Sequence, residues 1–147
     1  MLQTAGAGDV RPELASRKPA RASTKSERKA KLSAICLGLP EARCEEQGDH
    51  AAFLVGKKTF VYYLDNHHGD GIVGFCCKAL PGENERLIAA SPRKFYMPAY
   101  VGPRGWVGLR LDRPTVDWAE VKELIVGSYL LTAPKKLARI AEESEMK

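Results

Sequence analysis

The 147 residues suit one domain with a tail rather than two full domains. Hydrophobic residues make up 44% of the chain, as in an ordinary globular protein, and no apolar run approaches the roughly 20 residues that span a bilayer. The net charge of +5 sits in residues 1–31, which hold eight Lys or Arg against three acids, while residues 32–147 balance at fifteen of each sign.

Residues 1 to about 23 are Gly, Ala, Pro, Ser and Arg with no apolar period. They offer too little surface to bury against the entropy of ordering, so a disordered basic leader is expected over 1–23 and a folded domain over 24–147. The leader lacks the apolar segment of a signal peptide. Its Arg, Ala and Ser content suits a transit peptide, but Asp9 and Glu13 oppose that reading, and a cytoplasmic protein without membrane contact is expected.

Helical structure is predicted from Thr24, because Thr24 and Glu27 have the spacing of a capping box. Leu32, Ile35, Cys36 and Leu39 then follow as one apolar helical face, and Gly38 and Pro40 end the helix. Short extended runs come next. Ala42 to Gln47 is a candidate strand with a turn at Gln47-Gly48-Asp49. Ala51 to Val55 and Thr59 to Leu64 flank Gly56-Lys57-Lys58 as a tight hairpin, with Phe60, Tyr62 and Leu64 on one face. Asp65 to Gly71 is a polar loop, Ile72 to Lys78 an apolar strand, and Pro81 to Ala90 contains a short helix.

A second hairpin is predicted from Phe95 to Val101 and Trp106 to Leu111, around Gly102-Pro103-Arg104-Gly105. Val107, Leu109 and Leu111 alternate with Trp106, Gly108 and Arg110, so one face is core and the other shows an aromatic and a cation. Pro98 places its strand at an edge or a bulge. Asp117 and Glu120 repeat the capping-box spacing, and Trp118, Val121, Leu124, Ile125, Ser128 and Leu131 form the apolar side of a helix that Pro134 breaks. Lys135 to Glu143 is a final short helix.

The order of elements gives an α+β fold, a single antiparallel sheet packed against N- and C-terminal helices. Cys36, Cys44, Cys76 and Cys77 form no C-x-x-C pair and suit buried free thiols, with Cys76 and Cys77 on opposite faces of a strand.

The pattern CLGLPEARCEEQGDHAAFLVGKKTFVYYL, then FYMPAYVGPRGWVGLRLD, then DWAEVKELIVGSYLLTAPKKL, resembles the MmcQ/YjbR family over Leu32 to Leu137. The sharpest pieces are Leu39-Pro40-Glu41, His50-x-x-Phe53, Gly105-Trp106 and Ser128-Tyr129. The resemblance implies a small α+β fold of the frataxin (CyaY-like) kind, a double-wing motif and DNA binding, the last by analogy of fold. It implies no catalytic residues. The Gly56-Lys57-Lys58 and Pro103-Arg104-Gly105 turns would be the wing tips.

A nucleic-acid surface needs cations placed to meet phosphates. Lys57, Lys58 and Arg104 fall in the predicted turns, Arg93, Lys94 and Arg110 flank the second hairpin, and Trp106 is placed to stack or wedge. No recognition-helix pattern supports sequence-specific reading. His67 and His68, with Asp65 and Asp70, lack the spacing of a calcium loop and suit an exposed polar connection. His50 suits a packed or capping role. Frataxin-like iron binding would need an acidic first helix, whereas this one carries Lys25, Arg28, Lys29 and Lys31 against Glu27. Gly69-x-Gly71-x-x-Gly74 opens a strand rather than a helix, so it is no dinucleotide loop. No catalytic constellation, metal or cofactor is expected. The expected function is DNA binding through basic hairpin turns and a basic arm; the alternative is a protein- or small-ligand-binding domain without nucleic-acid activity.

Overall fold

The computed structural model describes residues 23–145; the predicted leader lies, but for Ser23, outside them. Helix α1 (Lys25–Leu37) starts where the capping box places it. Thr24 Oγ1 accepts from the Glu27 N–H at 3.0 Å, and Glu27 Oε1 accepts from the Thr24 N–H at 2.7 Å. Leu32 and Cys36 are fully buried, and Gly38 caps the end.

Six strands follow: β1 (Arg43–Gln47), β2 (His50–Val55), β3 (Lys58–Asp65), β4 (Val73–Lys78), β5 (Phe95–Tyr96) and β6 (Trp106–Arg110). Helix α2 (Glu83–Ala90) links β4 to β5, and α3 (Trp118–Thr132) and α4 (Lys135–Glu145) end the domain. The sheet is antiparallel throughout, in the order β1-β2-β3-β4-β6-β5. One face, with Phe53, Phe60, Tyr63, Phe75 and Leu109, packs against Leu32 of α1 and Val121, Ile125 and Tyr129 of α3. Fully burying each such side chain contributes about 1.5–3 kcal/mol. No helix among the described residues is long and apolar enough to cross a membrane.

Three details depart from the sequence expectation. The first is a register shift in the β2–β3 ladder: Phe53 opposes Val61, but Leu54 opposes Thr59. Phe60 is therefore an extra, bulged residue. Its ring leaves the face of Tyr62 and Leu64 and meets Tyr129 edge-on at 5.4 Å. Only a hairpin without a bulge would have kept the three side chains together. The same pairing puts Lys58 opposite Val55, in the strand rather than the turn.

The second is the short β5. Its ladder stops after Tyr96, and residues 97–105 form a loop with a 3-10 turn at Gly102–Arg104. Pro98 has no N–H for a ladder, and Tyr100 takes a left-handed φ of 67°, so the chain cannot stay extended. β5 does lie at the sheet edge, the first of the two places read from Pro98, although Pro98 itself falls beyond the strand.

The third is in α3. Leu131 is 41% exposed, and Tyr129 takes the inward position beside Ser128. Buried Ser128 donates its hydroxyl to the Phe60 carbonyl at 2.6 Å and accepts from the Lys78 N–H at 2.9 Å. The Tyr129 hydroxyl donates to the Pro40 carbonyl at 2.7 Å. Two pieces of the Leu39-Pro40-Glu41 and Ser128-Tyr129 resemblance thus touch each other in space.

On the opposite face the sheet is covered by its own side chains. The Tyr96 ring lies over Gly108, where any Cβ would collide with it, so glycine is required there. Trp106 packs at 5.5 Å on Tyr62.

Arg28, counted from the sequence as a surface cation, is only 8% exposed. Its guanidinium donates to the carbonyls of Leu111 (2.6 Å), Arg113 and Pro114 (3.2 Å), tying α1 to the chain that leaves β6.

Two substitutions test these stitches. Ser128→Ala leaves a buried carbonyl and a buried N–H without partners, and the expected loss in urea unfolding is about 2–3 kcal/mol; a loss below about 0.5 kcal/mol, the range of neutral surface changes, would deny the bridge a structural role. Arg28→Ala strips a charged donor from three carbonyls and is expected to cost about 2–4 kcal/mol, whereas Lys25→Ala on the exposed side of the same helix is expected to leave the urea midpoint nearly unchanged.

Candidate nucleic-acid interface

Three cations converge at one end of the sheet. Lys58 opens β3, just after the Gly56-Lys57 turn. Lys78 closes β4 opposite Trp106. Arg104 ends the 3-10 turn before β6. That turn is fastened on three sides. The Ala79 N–H donates to the Gly105 carbonyl at 3.1 Å. Buried Asn84 of α2 donates its amide to the carbonyls of Gly102 and Trp106, each at 3.0 Å. Gly105 takes φ 93°, which lets the chain reverse into β6.

The three cations border an open groove of about 370 Å³, with Tyr62, Trp106 and the last turn of α3 as its other walls. Among the described residues no carboxylate lines it. Lys58, Lys78 and Arg104 are all exposed, and the ion pairs among the described residues include none of them. The negative carbonyl pole of α3 offsets part of their field. Trp106 is 9% exposed, so its ring is a wall of the groove and not a protruding wedge.

The other predicted residues stand apart. Lys57 is exposed at the turn but does not line the groove. Arg93 is exposed in the bend before β5. The Lys94 ammonium pairs with Glu120 at 2.9 Å. Arg110 lies four residues beyond Trp106, about 13 Å along the strand. Its guanidinium makes two bonds to Asp112, at 2.9 and 3.0 Å. Burial pushes the Asp112 carboxyl up, but the Arg110 guanidinium and the Val73 N–H hold it below its ordinary value, so the pair stays charged and mutually neutralised. The seven predicted residues therefore divide, and Lys94 and Arg110 are already satisfied.

The first helix loses its apparent basic surface in the same way. Lys25 meets Asp65 at 2.8 Å, Lys29 meets Glu46 at 3.0 Å, and Arg28 is buried. Lys31 lies 5.1 Å from the centre of the Trp118 ring.

A second hollow, of about 240 Å³, adjoins the groove and shares Tyr62 and Val101 with it. His50 accepts the Asp65 N–H on Nδ1 at 3.1 Å, which satisfies the packing role expected of it. His67 meets His50 edge-on at 5.4 Å and His68 at 4.0 Å, and His68 meets Tyr100 at 5.4 Å. The histidine loop is thus folded back on the sheet face rather than extended as a free connection. Burial, then the neighbouring His68 and His50, lower His67 from its ordinary 6.5, so its ring is neutral at neutral pH. No group of three or more His, Cys, Asp or Glu among the described residues is placed to hold a metal ion.

Sequence reasoning missed Lys78, Tyr62 and Tyr100. Lys78 was within reach, since strand alternation puts it on the side of Cys76 and away from the helices. Tyr100 was not, because its position depends on the irregular loop after Pro98.

The YjbR family profile matches residues 37–131, from the end of α1 to near the end of α3. The structure is similar to a crystal structure of the Deinococcus radiodurans protein DR2400, which carries the domain DUF419. The TM-score is 0.58 at 24% identity, over 77% of this chain and 83% of that one. No curated protein matches the sequence. With the profile match spanning the sheet, the Ser128 bridge and the groove, the chain belongs to the YjbR family.

Proposed function

We propose that the protein binds nucleic acid through its phosphates, using the groove bordered by Lys58, Lys78 and Arg104. The observation that carries this reading is the convergence of three exposed cations, unpaired among the described residues, on a groove whose described lining holds no acid. Of the other cations named from the sequence, Lys94 and Arg110 are paired with acids and Lys57 and Arg93 stand apart from the groove. Phosphates displace condensed counterions from such a site, which drives binding without regard to base sequence.

The basic residues Arg11, Arg17, Lys18 and Arg21 add a diffuse attraction that raises the encounter rate but positions nothing. The contacts to phosphate are non-specific, with affinity of about 10⁻⁴ to 10⁻⁶ M at physiological salt.

We assign the site a binding role rather than a catalytic one. A thiolate nucleophile is disfavoured: burial pushes Cys76 up to about 12 and raises Cys36 and Cys77 as well.

Fluorescence anisotropy on duplex DNA across a salt series tests the reading. Three neutralised phosphates give a log–log slope of about −2.7 from the folded domain, and the Lys58→Ala/Arg104→Ala double variant should flatten it by about 1.8. Lys94→Ala and Arg110→Ala should leave the slope unchanged. Removing residues 1–22 should weaken binding while keeping the sensitivity to Lys58 and Arg104. If the double variant binds like the parent protein, the groove is not the phosphate site.

A further inference from the structure

We infer that the natural ligand of this groove is single-stranded nucleic acid, with phosphates on Lys58, Lys78 and Arg104 and unstacked bases on the ring cluster of Tyr100, His67 and Tyr62. The inference rests on the phosphate-binding reading above and adds what the other half of the trough is for.

The two hollows adjoin, with Tyr62 and Val101 in the walls of both, and we read them together as one trough. Its ends differ in chemistry. One end is bordered by three cations. The other is lined by His50, His67, Tyr62, Leu64 and Tyr100, with no Lys, Arg, Asp or Glu among the described residues. From Lys58 to Leu64 the trough follows β3 for about 20 Å. A ligand that fits both ends is anionic in one part and flat and apolar in another.

Tyr100 is the most telling residue. It is 76% exposed, and its φ of 67° puts a bulky side chain in the left-handed region. Asn66 and His68 share that unusual backbone, at φ 54° and 55°. Conformations of this kind are strained and persist only where the surroundings enforce them. Here they hold the rings of His67, His68 and Tyr100 against one another beside the trough, with Tyr100 still open to solvent. Neutral imidazole, as the lowered pKa of His67 implies, stacks on a base without demanding a counter-charge.

Duplex DNA cannot use such a surface, since its bases are paired and stacked inward. A single strand can turn its bases out onto aromatic side chains, and each stacked base is worth about 1–3 kcal/mol in alanine substitutions. Because every base has a π-face, this mode tolerates any sequence, in keeping with the absence of a recognition helix.

The experiment compares three labelled probes of equal length: a single-stranded oligothymidylate, the same backbone with abasic sites, and a duplex. The base-bearing single strand should bind about tenfold tighter than either of the others. Tyr100→Asn keeps a residue tolerant of left-handed backbone but removes the ring; it should lose about 5- to 10-fold on oligothymidylate and nothing on the abasic strand or the duplex. Tyr100→Phe should retain the parent affinity. Equal affinity for base-bearing and abasic strands, or an unchanged affinity in Tyr100→Asn, would overturn the stacking inference while the salt response of Lys58→Ala/Arg104→Ala still upheld the phosphate site. If that double variant bound all three probes like the parent, the phosphate reading and this one would fall together.

Discussion

The Ser128 hydroxyl sits where helix, bulge and groove meet. A bulge at Phe60 turns one more aromatic ring toward the helices, and the Phe60 carbonyl lies just beyond Val61–Cys77, the last pair of the β3–β4 ladder. A buried carbonyl without a partner is destabilising by about as much as a lost hydrogen bond. Ser128 supplies the donor and, from the same oxygen, accepts the N–H of Lys78 at the end of β4. One small side chain thereby seats α3 on two strands and fixes the ends of both. Those ends carry Lys58 and Lys78. The groove owes its geometry to a hydrogen bond that no ligand touches.

The sheet solves its two faces differently. Helices α1 and α3 cover one face with ordinary apolar packing. The other is closed by residues of the sheet and its loops: Tyr96 across Gly108, Tyr62 against Trp106, and the histidine loop folded over His50. Such a face is apolar and aromatic yet open at its hollows. This explains why Cys76, which points away from the helices, is still only 1% exposed. It also explains why the trough combines rings with cations: the rings come from the sheet face and the cations from the strand ends and turns that border it.

Net charge was a poor guide to where charge acts. A chain-wide excess of +5 suggested a basic first helix. In the fold, Lys25 and Lys29 meet carboxylates, and Arg28 serves three backbone carbonyls. Lys58, Lys78 and Arg104, which share the groove, lie in a stretch of the sequence where acids and bases balance. Exposed ion pairs of this kind contribute little stability, but they decide which cations are available to a ligand.

Sequence alone determined what is set within a few residues of chain. The capping box at Thr24, the stop at Gly38 and Pro40, the alternation of Val107, Leu109 and Leu111, and the edge position implied by Pro98 each depend on local hydrogen bonds or on a fixed period. The α+β order and the family followed from these. Only the tertiary structure decided the bulge at Phe60, the pairing of Lys94 with Glu120, and the meeting of Lys58, Lys78 and Arg104 around Tyr62. The physical reason is distance along the chain: Lys29 finds Glu46 across 17 residues and Arg28 finds Leu111 across 83, and no local pattern encodes which partner a charged side chain will reach.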